Sequence, residues 1–271
     1  MKEFIFDFTS YEAAISSLSK FIGISVENIE LFISKNSHSC DNLSEKLIKE
    51  NNIDIKLLDI SNLYLKVIKV TTNGDNCESI KKYGLLNTQE AIKKDTYLAR
   101  YLKSKEIEID FEAESINYKG RVYYRAKEIN RKVGLCFTKL FSKSHYPINA
   151  FIYSDNPLDY LGRVRERPEI IGNLADAFDG SIEKDWIKNT KCFLIVIKAN
   201  IDDFDYTVFT DNKVEFEDNK EIVVKKWLIV RSIELIHDLK LRSEHSDIYA
   251  YMNSKHKVEL ENIIDTIKIN D

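Results

Sequence analysis

With 271 residues, 44% of them apolar and 31% charged, the chain has material for one large domain or a domain with an accessory element, and wholesale disorder is excluded. Its 40 basic and 44 acidic side chains leave a formal charge of −4, which argues against a broad cationic nucleic-acid footprint and leaves room only for a local one. Eight glycines and three prolines exclude collagen-like, Gly/Ser-linker and Pro-rich architectures, and neither a G-x-G-x-x-G nor a Walker-type phosphate loop occurs.

Cys40, Cys77, Cys136 and Cys192 stand far apart without C-x-x-C spacing, so free, mostly buried thiols in a reducing cytoplasm are expected. The opening MKEFIFDFTS is acidic and its apolar run is short, unlike a secretory leader. No stretch approaches the roughly 20 apolar residues of a membrane helix, so no membrane association is expected. The five histidines form no H-x-x-x-H or H-E-x-x-H spacing, and no G-x-S-x-G elbow is present. A metal centre and a serine-hydrolase triad therefore have no anchor.

The first sixty residues read as small helices. Thr9 and Glu12 have capping-box spacing ahead of Ile15, Leu18 and Ile22. Ser25 is placed to cap a helix burying Ile29, Phe32 and Ile33, and Asp41 to open one burying Leu43, Leu47 and Ile48. At Tyr64 the pattern changes to a strand through Val70-Thr71-Thr72 that turns after Asn73-Gly74. Asp75 and Glu78 suggest another capping box, with Gly84 as the stop, and helix resumes from Thr88 through Leu102. Ile107, Ile109 and Phe111 alternate with acids as a half-buried strand, and Tyr118 to Tyr124 reads as a hairpin turning at Lys119-Gly120.

Strands are expected at Val133–Thr138 and Ile148–Tyr153, then a charged loop and a helix beginning at Pro168. Cys192–Ile197 reads as a central strand. Short strands follow at Tyr206–Phe209, Val214–Phe216, Ile222–Val224 and Leu228–Val230, and Leu260, Ile263, Ile264 and Ile267 suggest a closing helix. Helices mixed with several non-alternating strands indicate an α+β class. The expected division is a helical N-terminal element over 1–60, a core over 61–240 and a C-terminal helix over 241–271.

Two segments carry chemistry. Arg163, Arg165 and Arg167 alternate before Pro168; if extended, they form a one-sided phosphate clamp, and otherwise they are a solvated loop pairing with Glu166 and Glu169. Tyr160 stands just upstream as a candidate stacking ring. The second signal is Leu65 to Thr72 followed by Ile80-Lys-Lys-Tyr-Gly84-Leu85, together with Asn219-Lys-Glu221-Ile-Val-Val224 and Trp227 to Ile229.

Over roughly residues 64–236 this order resembles the ADP-ribosyltransferase fold. There a strand ends in His-x-Thr or Arg-x-Ser/Thr, a helix leads to Gly-Leu, and a late strand carries a glutamate. The resemblance implies a split β-sheet core and NAD as substrate, with Glu221 as the catalytic carboxylate. Lys69, Val70 and Thr71 would then hold the cofactor, with Tyr160, Arg165 and Arg167 beside it. Tyr146, Tyr153 and Tyr160 all qualify as the family's middle aromatic. In that chemistry the nicotinamide–ribose bond breaks through an oxocarbenium-like state that a carboxylate stabilises. Lys69 departs from the family's histidine, because an ammonium donates but cannot accept.

Stand-alone bacterial members of this size commonly act as toxins or phage-defence effectors. The implied partners are therefore a macromolecular acceptor, protein or nucleic acid, and a neutralising antitoxin. The alternatives are a binding or regulatory module that keeps the fold without NAD chemistry, and a phosphate-binding, nuclease-like enzyme built on the arginine loop.

Overall fold

The structure is a computed structural model and describes residues 3–37, 42–127, 129–143, 146–160, 163–241, 245–253 and 257–270. In chain order, β1 is Phe4–Phe6, α1 Tyr11–Ile22, α2 Val26–Lys35, α3 Leu43–Glu50, β2 Leu63–Asn73, α4 Glu78–Tyr83, α5 Thr88–Lys93 and α6 Tyr97–Ser104. Then come β3 Ile107–Asp110, β4 Ser115–Tyr118, β5 Arg121–Tyr124, α7 Arg131–Phe141, β6 Asn149–Tyr153, α8 Glu169–Ala177 and α9 Ser181–Asn189. The chain ends with β7 Lys191–Asn200, α10 Lys213–Lys240, β8 Ile248–Tyr251 and β9 Ile263–Lys268. About half of this is helical (49%, against 22% strand), so the fold is mixed, with more helix than the strand-rich reading of 64–236 anticipates.

One sheet has the order β8-β6-β2-β7-β9, with β1 also pairing β2, and a separate antiparallel sheet has the order β3-β4-β5. The chain forms two compact units. The first comprises Met1–Val67, Phe151–Asp155 and Lys198–Tyr251, and the second Ile68–Ala150, Asn156–Ile197 and Met252–Asp271. Strands β2, β6 and β7 each pass from one unit to the other, so this division cuts across the one expected at residues 60 and 240.

In the first unit, β1 lies parallel beside the start of β2, with Phe4 opposite Leu63 and Phe6 opposite Leu65. This strand is absent from the all-helical reading of residues 1–60. Phe6 stacks on Phe8 at 4.8 Å, and Phe8 meets the edge of Trp227 at 5.8 Å. α1 and α3 both pack on α10. The caps of α1 and α2 are serines that accept a main-chain N–H: Ser10 from Ala13 at 3.1 Å and Ser25 from Asn28 at 3.3 Å. Thr9, the expected cap of α1, instead bonds Asp7. α3 opens after Asn42, and Asp41, the expected cap, lies outside the described residues.

The largest correction in this unit is α10. The strands expected at Val214–Phe216, Ile222–Val224 and Leu228–Val230 are helical, and Tyr206–Val208 is a 3₁₀ turn. Asn212 caps α10 by accepting from Glu215 N at 3.1 Å, and the helix bends at Asn219, whose φ is −137°. Its buried residues Val224, Leu228, Ile229, Ser232, Ile233 and Ile236 recur every three or four positions. Windows of two or three β-branched residues look like strand, but the period over several turns is that of a helix.

In the second unit, α7 replaces the strand expected at Val133–Thr138. Val133, Cys136, Phe137 and Leu140 form an i, i+3, i+4, i+7 stripe, and Asn130 caps the helix. Together with Ile170, Ile171, Leu174 and Trp186 they make the core of this unit. The hairpin β4–β5 turns at Lys119 and Gly120, both at positive φ (49° and 83°), as the sequence suggests. The helix expected near the C-terminus is instead β9, paired antiparallel with β7. Its helically spaced isoleucines are mostly exposed, so no apolar stripe is buried there.

Candidate functional site

Strand β2 enters the second unit at Ile68 and carries the residues singled out from sequence. Its pleat sends Lys69 and Thr71 to one face and Val70 and Thr72 to the other. On the second face Val70 is buried, and Thr72 accepts the Trp186 indole N–H at 2.8 Å, so its hydroxyl is committed to the core. On the first face both side chains are half-buried. Lys69 donates to the main-chain carbonyl of Asn149 at 2.6 Å and has no ion pair among the described residues. Loss of hydration, reinforced by the like charge of Lys139 and partly offset by Glu169, pulls the Lys69 ammonium down from its usual range to about 8.

Beyond β2 the chain turns on Asn73, whose side-chain oxygen accepts from Asp75 N at 2.7 Å and Cys77 N at 3.1 Å. Asp75 bonds Ser79 and Arg100 and does not form a capping box with Glu78. α4 stops at Gly84, with φ +77° and ψ −174°, a combination essentially confined to glycine. A Cβ there would lie 2.2 Å from the Val258 carbonyl oxygen, and Leu85 exchanges two main-chain hydrogen bonds of 2.9 Å with Val258. The Gly-Leu pair is thus a point where two chain segments meet closely.

The arginine segment is not extended. Residues 163–166 form a turn, with Arg163 at φ +60°. Arg163 pairs with Glu166 and, at 3.0 Å, with Glu183, and Arg167 Nε reaches Glu183 at 2.5 Å. Arg167 also lies flat over Gly172, where a Cβ would meet its guanidinium carbon at 2.3 Å. The phosphate clamp is therefore not assembled: two of its arginines hold α9, while Arg165 and Tyr160 are exposed. Pro168 is the residue before α8, one position earlier than expected.

Glu221 lies on α10 in the first unit, not on a strand. Its side chain is 74% exposed and pairs at 3.1 Å with Lys225, which is 4% exposed and also donates to Lys56 O at 3.4 Å.

A carboxylate at the head of a late strand does exist, at Asp247 immediately before β8. It lines a cavity of about 590 Å³ within the first unit. From α10 come Arg231, Glu234, His237 and Asp238, and from the far side Asp247, Tyr249 and Tyr251. His245 Nδ1 lies 2.6 Å from Asp238, and Tyr153 sets its ring edge against the His245 ring at 5.5 Å. Burial, followed by its hydrogen bond to Asp155, raises the Tyr153 phenol well above its ordinary range. Of the three tyrosines considered from sequence, Tyr153 therefore lies among ionisable groups.

Sequence reading missed this cluster because its members come from three separated segments. The available signal was Asp247 followed by the alternation Ile248-Tyr249-Ala250-Tyr251, buried and exposed in turn.

No group of three or more His, Cys, Asp or Glu is arranged to hold a metal ion among the described residues. Cys77, Cys136 and Cys192 are buried and form no disulfide among the described residues, and burial pushes the Cys77 and Cys136 thiols up to about 12, away from nucleophilic use. Among the described residues no helix is long and apolar enough to cross a membrane. Compared with known proteins, the chain matches no family model, no curated protein and no solved structure.

Proposed function

We propose that the chain is an ADP-ribosyltransferase-like protein that takes NAD as substrate along the Lys69–Thr71 face of β2. The observation that carries this reading is the run from β2 through α4 to Gly84-Leu85. Lys69 and Thr71 share one half-buried face, Thr72 is committed to the core, and only glycine is tolerated at position 84. These are the residue types and the order on which the family resemblance rests. An ammonium and a hydroxyl two residues apart supply donors for ribose hydroxyls or a phosphate.

No carboxylate is assigned to the oxocarbenium, since Asp247 and Glu221 belong to the first unit and Lys69 and Thr71 to the second. The acceptor is a macromolecule, protein or nucleic acid. In the toxin or phage-defence role, expression of the chain alone arrests growth and a co-expressed partner relieves it.

The test is calorimetric titration of NAD into the whole chain, with Lys69→Met and Thr71→Val beside it. Wild-type binding weakened by both substitutions supports the assignment, and equal affinity in all three overturns it. A second reading, a binding module without turnover, is favoured by one observation: the family's histidine position is filled by Lys69, which only donates and already bonds Asn149 O. NAD binding without nicotinamide release distinguishes it.

A further inference from the structure

β5 ends the order β3-β4-β5, so one of its edges has no strand beside it. The two-residue turn at Lys119-Gly120 makes Tyr118 and Arg121 the first bonded pair of the hairpin, and Arg125 N bonds Glu114 O at 3.0 Å further along. Alternation therefore turns the main-chain groups of Arg121 and Tyr123 toward β4, and those of Val122 and Tyr124 away from it. Neither Val122 nor Tyr124 has a main-chain hydrogen bond outside the hairpin among the described residues, and their side chains are 45% and 44% exposed. Charge is lopsided here as well. Residues 115–150 hold eight Lys or Arg against one acid, Glu128, in a chain of net charge −4. Arg121, Lys127, Arg131 and Lys132 are exposed and have no ion pair among the described residues. Arg121 lies over the Tyr123 ring at 4.9 Å and Lys127 over the Tyr124 ring at 5.5 Å, so both flank the open edge. Arg131 and Lys132 stand in the first turn of α7, where the helix dipole disfavours cations.

We propose that β5 is the docking edge for an extended acidic segment of a partner protein, which joins this antiparallel sheet as a fourth, antiparallel strand. A strand supplies the alternating donors and acceptors that complete Val122 and Tyr124, which a nucleic-acid backbone does not. The partner's residues opposite Val122 and Tyr124 are apolar, because β-branched and aromatic cross-strand pairs are favourable. Its intervening residues are Asp or Glu, which fall beside Arg121 on the other face. The same cations disfavour a second copy of this chain, since two β5 edges side by side would bring like charges together. Docking requires neither NAD nor its turnover, and every residue involved lies within the second unit.

The test is calorimetric titration of the whole chain, without NAD, with a capped peptide of alternating valine and glutamate. Beside it go the valine–lysine counterpart, the glutamate peptide methylated at its valine nitrogens, and single-stranded oligothymidylate. The glutamate peptide is expected to bind, with the lysine peptide weaker and the methylated peptide silent, because it has lost the donors that face β5. Val122→Pro removes an outward N–H that the hairpin does not use, at an edge position where a strand tolerates proline, and should lower affinity about tenfold. Arg121→Glu, at an exposed site, should lose about tenfold for the glutamate peptide and gain for the lysine peptide. It keeps the test readable if Val122→Pro unfolds. Four results overturn the proposal: no binding of the glutamate peptide, equal binding of its methylated form, unchanged affinity in Arg121→Glu, or preference for oligothymidylate, which would make the patch a nucleic-acid surface. Dimerisation in sedimentation that Val122→Pro abolishes would also overturn it, by making the occupant a second copy.

Discussion

Lys69 Nζ donates to the carbonyl of Asn149 at 2.6 Å, and no carboxylate pairs with it among the described residues. A half-buried ammonium satisfied by a single neutral acceptor is an unfavourable arrangement for stability. With its proton held only up to about pH 8, against 10.5 ordinarily, the unfolded chain binds more protons than the folded one between those values. Stability therefore rises with pH across that window, and below pH 8 the lysine is a net cost. Lys69→Met should stabilise the fold by about 1–2 kcal/mol at pH 7, after allowing for the lost hydrogen bond. The gain should shrink towards zero as pH approaches 10.5. Urea unfolding at pH 7 and pH 9.5 checks this. A residue retained at a cost to stability is what a ligand-binding role would require.

Thr71 and Thr72 are adjacent but have opposite commitments. Thr72→Val removes the acceptor of the buried Trp186 indole N–H and should cost about 1–3 kcal/mol of stability without touching ligand affinity directly. Thr71→Val, on the half-buried face, should leave the unfolding midpoint within about 0.5 kcal/mol of wild type and act on NAD affinity. Denaturant melts paired with NAD titration separate the two.

Gly84→Ala forces a Cβ to within 2.2 Å of the Val258 carbonyl at a glycine-only backbone conformation, and should destabilise by about 3 kcal/mol or more. Gly120→Ala is the control: φ is +83° but nothing lies within 4 Å, so the expected loss is about 1 kcal/mol. Chemical unfolding of both proteins checks the ordering.

Glu221→Gln should behave as a stability variant. It replaces the carboxylate that pairs with the nearly buried Lys225 ammonium by a neutral amide oxygen, and should cost about 1 kcal/mol. The same substitution should leave NAD chemistry intact. A thermal melt beside a turnover assay reads both effects.

These contrasts also mark how far the chain could be read from its residues. The hairpin at Lys119-Gly120, the Gly84 stop and the strand through Thr71 are written in local chemistry: positive φ, close approach and alternation. α7 and α10 differ from the strand reading because Val133, Phe137 and Thr138, and all of Ile222–Val224, are β-branched or aromatic within short windows. Their helical period emerges only over two or more turns. β9 failed in the opposite sense, since its isoleucines repeat at helical spacing yet pair with β7 across the sheet. The arginine loop could not be settled locally, because its partner Glu183 lies 16 to 20 residues downstream. The cluster of Tyr153, Asp238, His245 and Asp247 needed the fold itself, which gathers three segments that no spacing rule connects.

The most direct measurement is nicotinamide released from NAD by purified wild type and Thr71→Val, quantified by mass spectrometry with candidate protein and nucleic-acid acceptors. The account predicts release by wild type, and release by Thr71→Val that falls at low NAD and recovers as NAD is raised, because the lost hydroxyl acts on affinity. Absence of NAD binding and of nicotinamide release in the wild type would contradict the ADP-ribosyltransferase reading.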